Sequence, residues 1–148
     1  MYERYFKRPF DVISSLLVLL MGWPVFLILA LLIRMKLGAP IIFSQARPGK
    51  DGKLFQLYKF RSMTDARGKD GTLLPDVDRM TDFGRKLRAT SLDELPELIN
   101  ILKGDMSVVG PRPQLVRDMV FFTPEEMKRQ SVLPGLTGLA QISGRNNI

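Results

Sequence analysis

The sequence contains neither cysteine nor histidine. That rules out a disulfide framework, a thiolate or imidazole metal site, a Ser-His or Cys-His nucleophile and imidazole acid–base catalysis. Trp and Tyr are also few, one and three. No basic-aromatic motif of the kind that reads nucleic acid is present, so no nucleic-acid partner is expected. There is no internal repeat and no low-complexity tract. Any chemistry must come from carboxylates, Lys, Arg, Ser, Thr or Tyr, and any metal would meet oxygen ligands, which suit Mg²⁺ or Mn²⁺.

What is present is one domain's length, 148 residues, 45% of them hydrophobic and with a formal charge of +7. That charge suits contact with phosphates or anionic lipid. From Val12 to Ile33 the chain runs 22 residues without a charge, about what a helix needs to cross a hydrocarbon layer of ~30 Å. Lys7 and Arg8 flank the run on one side and Arg34 and Lys36 on the other, so the preference of cations for the cytoplasmic side assigns both ends to that side. Trp23 and Pro24 lie near its middle, and the proline is expected to kink the helix. The expectation is a re-entrant helix that bends at Pro24 and returns to the face it entered. A kinked spanning helix and a buried helix of a soluble domain are the alternatives.

After Gly38-Ala39-Pro40 the composition becomes mixed and charged, so residues 1–38 read as the membrane segment and 39–148 as an interfacial domain. Ile41–Phe43 and Leu54–Phe60, with a turn signal at Lys50-Asp51-Gly52-Lys53, predict a hairpin. Its second strand would carry Lys59 and Arg61 on one face, either toward a ligand or as cations guarding an edge strand. Thr64–Arg79, with two glycines, a proline and no period, reads as a surface loop or lid. Thr81 is placed to cap a basic helix through Arg85, Lys86 and Arg88.

The stretch Ser91–Pro113 concentrates the chemistry. Ser91 and Glu94 have capping-box spacing, and Leu92, Leu95, Leu98, Ile99 and Leu102 recur at helical spacing. Lys103-Gly104 would close that helix, while Pro96 should make its first turn irregular. The adjacent carboxylates Asp93 and Glu94 are then either ordinary acids complementing a helix start or a reactive pair near a phosphate. Arg112, held between two prolines, presents a planar fork suited to phosphate. Leu115–Phe122 is an apolar cluster, for a core or a bilayer surface. Thr123-Pro124-Glu125-Glu126 is a further helix start. Gln141 to Asn147 brings an amide and the Arg145 guanidinium into a glycine-punctuated stretch.

Three blocks resemble those of a known family: KFRSM at Lys59–Met63, SLDELPELINILKGDMSVVGPRP at Ser91–Pro113 and PGLTGLAQISGRN at Pro134–Asn146. The chain is similar to the bacterial sugar transferases, small monotopic phosphoglycosyl transferases, over essentially its whole length, including the Lys7–Asp11 entry. The resemblance implies an α+β, mostly helical monotopic membrane protein on the cytoplasmic face of the bacterial inner membrane. It implies transfer of a sugar-1-phosphate from a UDP-sugar to polyprenyl phosphate with release of UMP. Asp93 would be the nucleophile, and Asp93 and Glu94 would hold Mg²⁺, with Mn²⁺ as the alternative. Lys59, Arg61, Arg88, Arg112, Gln141 and Arg145 would bind substrate, anionic membrane lipid is an expected partner, and a homodimer is left open. Two features depart from the family pattern: Trp23 stands where a smaller residue is expected, and the chain stops at Ile148, which reads as a short form. The rival reading is a non-enzymatic anchored module that binds anionic lipid or polymer.

Overall fold

A computed structural model describes residues 3–143. After a π-helical turn at Glu3–Lys7, helix α1 runs unbroken over Arg8–Lys36. Pro24 sits inside α1 without ending it, although the proline has no N–H to give to the helix ladder. The apolar segment is long enough to cross a membrane, and little of it is buried by the rest of the chain. Trp23 is 61% exposed, and Met21, Leu20 and Met35 are still more open. So large a run of exposed apolar side chains marks a surface made for something other than water.

Strand β1 (Ile42–Pro48) pairs with β2 (Leu54–Phe60) around a 3-10 turn at Lys50–Gly52. The hairpin expected from the turn signal is present, and its first strand extends five residues beyond Phe43. Short helices α2 (Asp76–Arg79) and α3 (Asp82–Ala89) follow, then a 3-10 turn at Leu92–Glu94 and α4 (Glu97–Lys103). Strand β3 (Ser107–Val109), a 3-10 segment at Val116–Phe121, α5 (Pro124–Met127), β4 (Gly135–Thr137) and α6 (Leu139–Ile142) complete the order. The described residues thus mix helices with two small sheets, consistent with the expected α+β class.

The residues pack into two compact units. One contains Gly22–Phe43 and Tyr58–Pro96, and the other contains the residues up to Met21, Ser44–Leu57 and those from Glu97 onward. The first unit has an apolar core of Leu29, Ile33, Leu37, Phe60 and Leu87, against which Phe26, Ile41, Phe83, Leu92 and Leu95 pack. At ~25 cal/mol per Å², burying such side chains is the main stabilising term. Here α3 is capped as expected, with Thr81 Oγ1 accepting from Gly84 N at 3.0 Å. The Thr64–Arg79 stretch is pinned at its base, where Met63 bridges to Met80 and Thr64 N donates to the Arg79 carbonyl at 3.0 Å.

The second unit also buries polar side chains, among them Asp11, Asn100 and Ser107. Asp11 is 2% exposed; its Oδ2 accepts from Ser107 Oγ at 2.7 Å and its Oδ1 from Val108 N at 3.0 Å. Arg8 donates to the carbonyls of Ile101 and Leu102, neutralising the C-terminal end of α4. Gly104, at φ +94°, ends α4: its N–H bonds the Ile101 carbonyl and Asp105 N bonds the Asn100 carbonyl, a Schellman closure. Strands β3 and β4 run parallel, Ser107 opposite Gly135 and Val109 opposite Thr137. A Cβ on Gly135 would lie 2.0 Å from Gly110 N, so this approach needs glycine.

The start of α4 differs from expectation. Ser91 lies in the left-handed region (φ 57°) and caps nothing with its side chain, so the capping box does not form. The α-helix begins only at Glu97, because Pro96 limits what precedes it to a 3-10 turn. Its buried face includes Leu98 and Ile101, whereas Ile99 is 43% exposed.

Candidate active site

Asp93 and Glu94 fall in the 3-10 turn between α3 and α4, and both are buried, each 6% exposed. Two adjacent carboxylates are rarely buried unless something compensates them. Lys59, near the end of β2, supplies part of that compensation: its Nζ lies 3.1 Å from Glu94 Oε1. Asp93 is less well served, because its Oδ1 is buried without a hydrogen-bond partner. Burial pushes the Asp93 pKa above the ordinary carboxylate value and the Glu94 charge adds to the rise, while Lys59 and Arg88 pull it back. The group is therefore an under-solvated carboxylate in a cationic setting, ready to accept a further positive or electrophilic partner.

Arg88 reaches this setting from the last turn of α3, where its Nε donates to Ser62 Oγ at 2.8 Å. Lys59, Arg88, Asp93 and Glu94 thus come from three separate elements of one unit. Arg61 is in the same unit but buried, with its guanidinium on the Ala39 and Met63 carbonyls and on Asp65 at 2.7 Å. Those contacts tie the chain after α1 to the end of β2.

The remaining sequence-selected residues belong to the other unit. Arg112 lines a cleft with Pro48, Pro113, Phe122, Arg129 and Gln130. Arg47 nearby has its pKa lowered, first by burial and then by the Arg112 charge. The carboxylates of Glu97 and Asp118 act on Arg47 in the opposite direction. Gln141 is in α6, with both polar atoms of its side-chain amide buried and without partners. Arg145 lies outside the described residues.

Two residues were not singled out from the sequence, Ser62 and Gly84. A Cβ on Gly84 would lie 1.9 Å from the Ser62 carbonyl oxygen, so α3 touches the chain after β2 at that point. The available signal was a glycine inside a short basic helix, where it costs about 1 kcal/mol unless packing needs it.

The chemistry of the donor set bears on a metal. Among the described residues no three acidic side chains cluster. Mg²⁺, however, is usually held by one or two carboxylates together with substrate phosphates, and the orphaned oxygen of Asp93 beside Glu94 fits that pattern.

A small α+β chain with one long apolar helix and a buried carboxylate pair among cations is the class that the fold and site define. Residues 2–148 match the family model of the bacterial sugar transferases. The chain belongs to that family. It is 49% identical over 142 residues to the uncharacterized sugar transferase EpsL of Bacillus subtilis, covering 96% of this chain and 70% of that protein. It is 44% identical over 144 residues to a UDP-glucose:undecaprenyl-phosphate glucose-1-phosphate transferase of Klebsiella pneumoniae, covering 94% of this chain and 31% of that one. The undecaprenyl-phosphate galactose phosphotransferase of Salmonella typhimurium is 38% identical over 163 residues, covering 99% and 34%. The chain therefore spans most of the first relative and about a third of the other two.

Proposed function

We propose that the chain is a phosphoglycosyl transferase that moves a sugar-1-phosphate from a UDP-sugar to polyprenyl phosphate. The observation that carries this reading is Asp93: buried, with an unpartnered carboxylate oxygen, and electrostatically coupled to Lys59, Arg88 and Glu94. In the first displacement an Asp93 oxygen attacks the phosphorus that bears the sugar, and the bond from that phosphorus to the bridging oxygen breaks, releasing UMP. This leaves the sugar-phosphoryl group on the carboxylate as an acyl phosphate, a mixed anhydride. An oxygen of polyprenyl phosphate then attacks the same phosphorus, the acyl–phosphate bond breaks, and the carboxylate is regenerated. Lys59 and Arg88 offset the repulsion between anionic nucleophile and anionic substrate. Asp93 and Glu94 would hold Mg²⁺, which supplies charge neutralisation to the diphosphate when bound.

The acceptor's lipid tail requires the site to meet a bilayer, and α1 supports a re-entrant path into it. At its start Arg8 and Asp11 bond residues 101, 102, 107 and 108. Toward its end Leu29, Ile33 and Leu37 pack with Phe60 and Leu87. Among the described residues no other helix is long and apolar enough to cross. What supports the re-entrant reading is the charge at its flanks, Lys7 and Arg8 before the apolar run and Arg34 and Lys36 after it, which favours the cytoplasmic side for both ends.

The test is UMP release by the purified chain in vesicles containing undecaprenyl phosphate, across a panel of UDP-sugars with Mg²⁺. At least one sugar should release UMP and leave label on the protein before lipid is added. Asp93→Asn should do neither while remaining in the vesicles. Label retained by Asp93→Asn would end the nucleophile assignment, and no UMP release from any sugar would leave the anchored module.

A further inference from the structure

We propose that Arg61 is a positioning residue for this transfer, its buried guanidinium stapling the open end of β2 and so fixing the root of Lys59 beside Glu94. The inference rests on the reading of Asp93 and its cations given above, and adds a residue that does not itself touch substrate.

Strand β2 stops at Phe60, one residue past Lys59. A strand end of this kind opens easily unless something holds it. Here the holding falls to Arg61, which is 7% exposed. Its backbone N–H donates to the Ile41 carbonyl at 2.8 Å, just ahead of β1. In the side chain, Nε donates to the Met63 carbonyl at 2.8 Å, Nη1 donates to the Ala39 carbonyl, and Nη2 lies 2.7 Å from Asp65 Oδ2. Every nitrogen of the fork therefore has a protein partner, and the partners lie both before β1 and after β2. Asp65 is also 3.8 Å from the guanidinium of Arg79, whose Nε donates to the Thr64 carbonyl at 2.9 Å. A planar fork that is always charged can meet three acceptors in different directions, which a compact ammonium cannot do as well.

Lys59 is two residues away, so it leaves the strand on the same face as Arg61. Phe60 between them belongs to the core with Leu29, Ile33, Leu37 and Leu87. The backbone that carries Lys59 is thus caught between an apolar anchor and an ionic one. Its ammonium, on a flexible stem, stands 3.1 Å from Glu94 Oε1. A shift of about 1 Å at the root would take that pair out of hydrogen-bond range. Misplacing a group in such a site by about 1 Å can cost on the order of a hundredfold in rate.

The experiment is a double-mutant cycle in vesicle-reconstituted full chain, with Arg61→Met, Lys59→Met and the pair, reading kcat and KM separately. Arg61→Met keeps the aliphatic stem and removes the fork. It is expected to lower kcat by about tenfold or more with KM changed less than about twofold. Measured on the residual activity of Lys59→Met, where there is no ammonium left to place, Arg61→Met should cost nothing further. An unchanged kcat, or the same loss in both backgrounds, would make Arg61 merely structural and overturn the inference. If Arg61→Met does not fold, Asp65→Asn removes one of the three anchors from an exposed position, and should lower kcat about threefold in the wild type and not at all in Lys59→Met. The relaxation of the Lys59 Cε resonance is read in parallel, without turnover. It should report an ordered side chain in the wild type and a mobile one in Arg61→Met or Asp65→Asn, and equal order would also overturn the inference. A wild-type chain that turns over no UDP-sugar overturns the reading of function instead, and the resonance still decides whether Arg61 fixes Lys59.

Discussion

Lys59 Nζ sits 3.1 Å from Glu94 Oε1, joining the end of β2 to the turn that carries both candidate carboxylates across 35 positions of sequence. Lys59 is 18% exposed at its side chain and Glu94 8%, so water screens the pair only weakly. The same ammonium also lowers the pKa of Asp93. One cation therefore serves two carboxylates, and Glu94 holds it in place for the second.

Replacing Lys59 should accordingly do two things. Lys59→Met keeps the aliphatic packing but removes the charge, and the fold should lose about 2 kcal/mol, a typical value for a hydrogen bond to a charged group. Chemical denaturation at pH 7 measures that loss. The variant should also lose transfer activity far beyond what its unfolded fraction explains, whereas Lys59→Arg should retain part of it.

Gly84 gives a prediction about stability. A methyl group there would need to occupy space 1.9 Å from a backbone carbonyl, which no rotamer change can relieve. Although alanine is the better helix former by about 1 kcal/mol, Gly84→Ala should destabilise by about 3 kcal/mol through overpacking. A melting temperature equal to or above the wild type's would mean that α3 does not approach Ser62 as described.

How far these features were legible in the sequence depended on how local their causes are. The caps at Thr81 and Thr123 were readable because an oxygen and an N–H three residues apart decide them. The spacing of Ser91 and Glu94 promised the same and misled, because Ser91 turned left-handed ahead of Pro96. Ser44–Pro48 extends β1 with few strand-favouring residues, held by the partner strand and not by propensity. The β3–β4 pair and the Asp11–Ser107 bond join segments 28 and 96 positions apart, and no short-range pattern announces them. In the site, Lys59, Arg88, Asp93 and Glu94 could each be nominated singly. Their grouping, the assignment of Arg61 to backbone carbonyls and the hydrogen bond from Arg88 to Ser62 needed coordinates.

The two ends of α1 allow a topological test that uses the absence of cysteine. Tyr5 and Met35 are 63% and 81% exposed, so a thiol at either should be accessible and disturb little packing. In sealed right-side-out vesicles, Tyr5→Cys and Met35→Cys should both resist an impermeant maleimide, and both should react in inverted vesicles. Opposite labelling of the two would make α1 a spanning helix.

Asp93 also makes a prediction about pH, and its sign follows from the direction of the shift. Its pKa is raised in the folded state, chiefly by burial, above the ordinary value of 3.8. Below 3.8 the carboxyl is neutral whether folded or unfolded, so burial costs nothing there. Above the raised folded value it is ionised in both states, and the folded state bears the full cost of desolvating the charge. Asp93 therefore lowers stability at neutral pH, and that loss fades as the pH falls through the folded pKa toward 3.8. Asp93→Asn, which is neutral throughout, should resist urea better than the wild type at pH 7 without added divalent ion. The difference should shrink as the pH is lowered to 4. A variant less stable than the wild type at pH 7 would mean that Asp93 is well compensated in the resting protein, which is the opposite of what a nucleophile awaiting its electrophile requires.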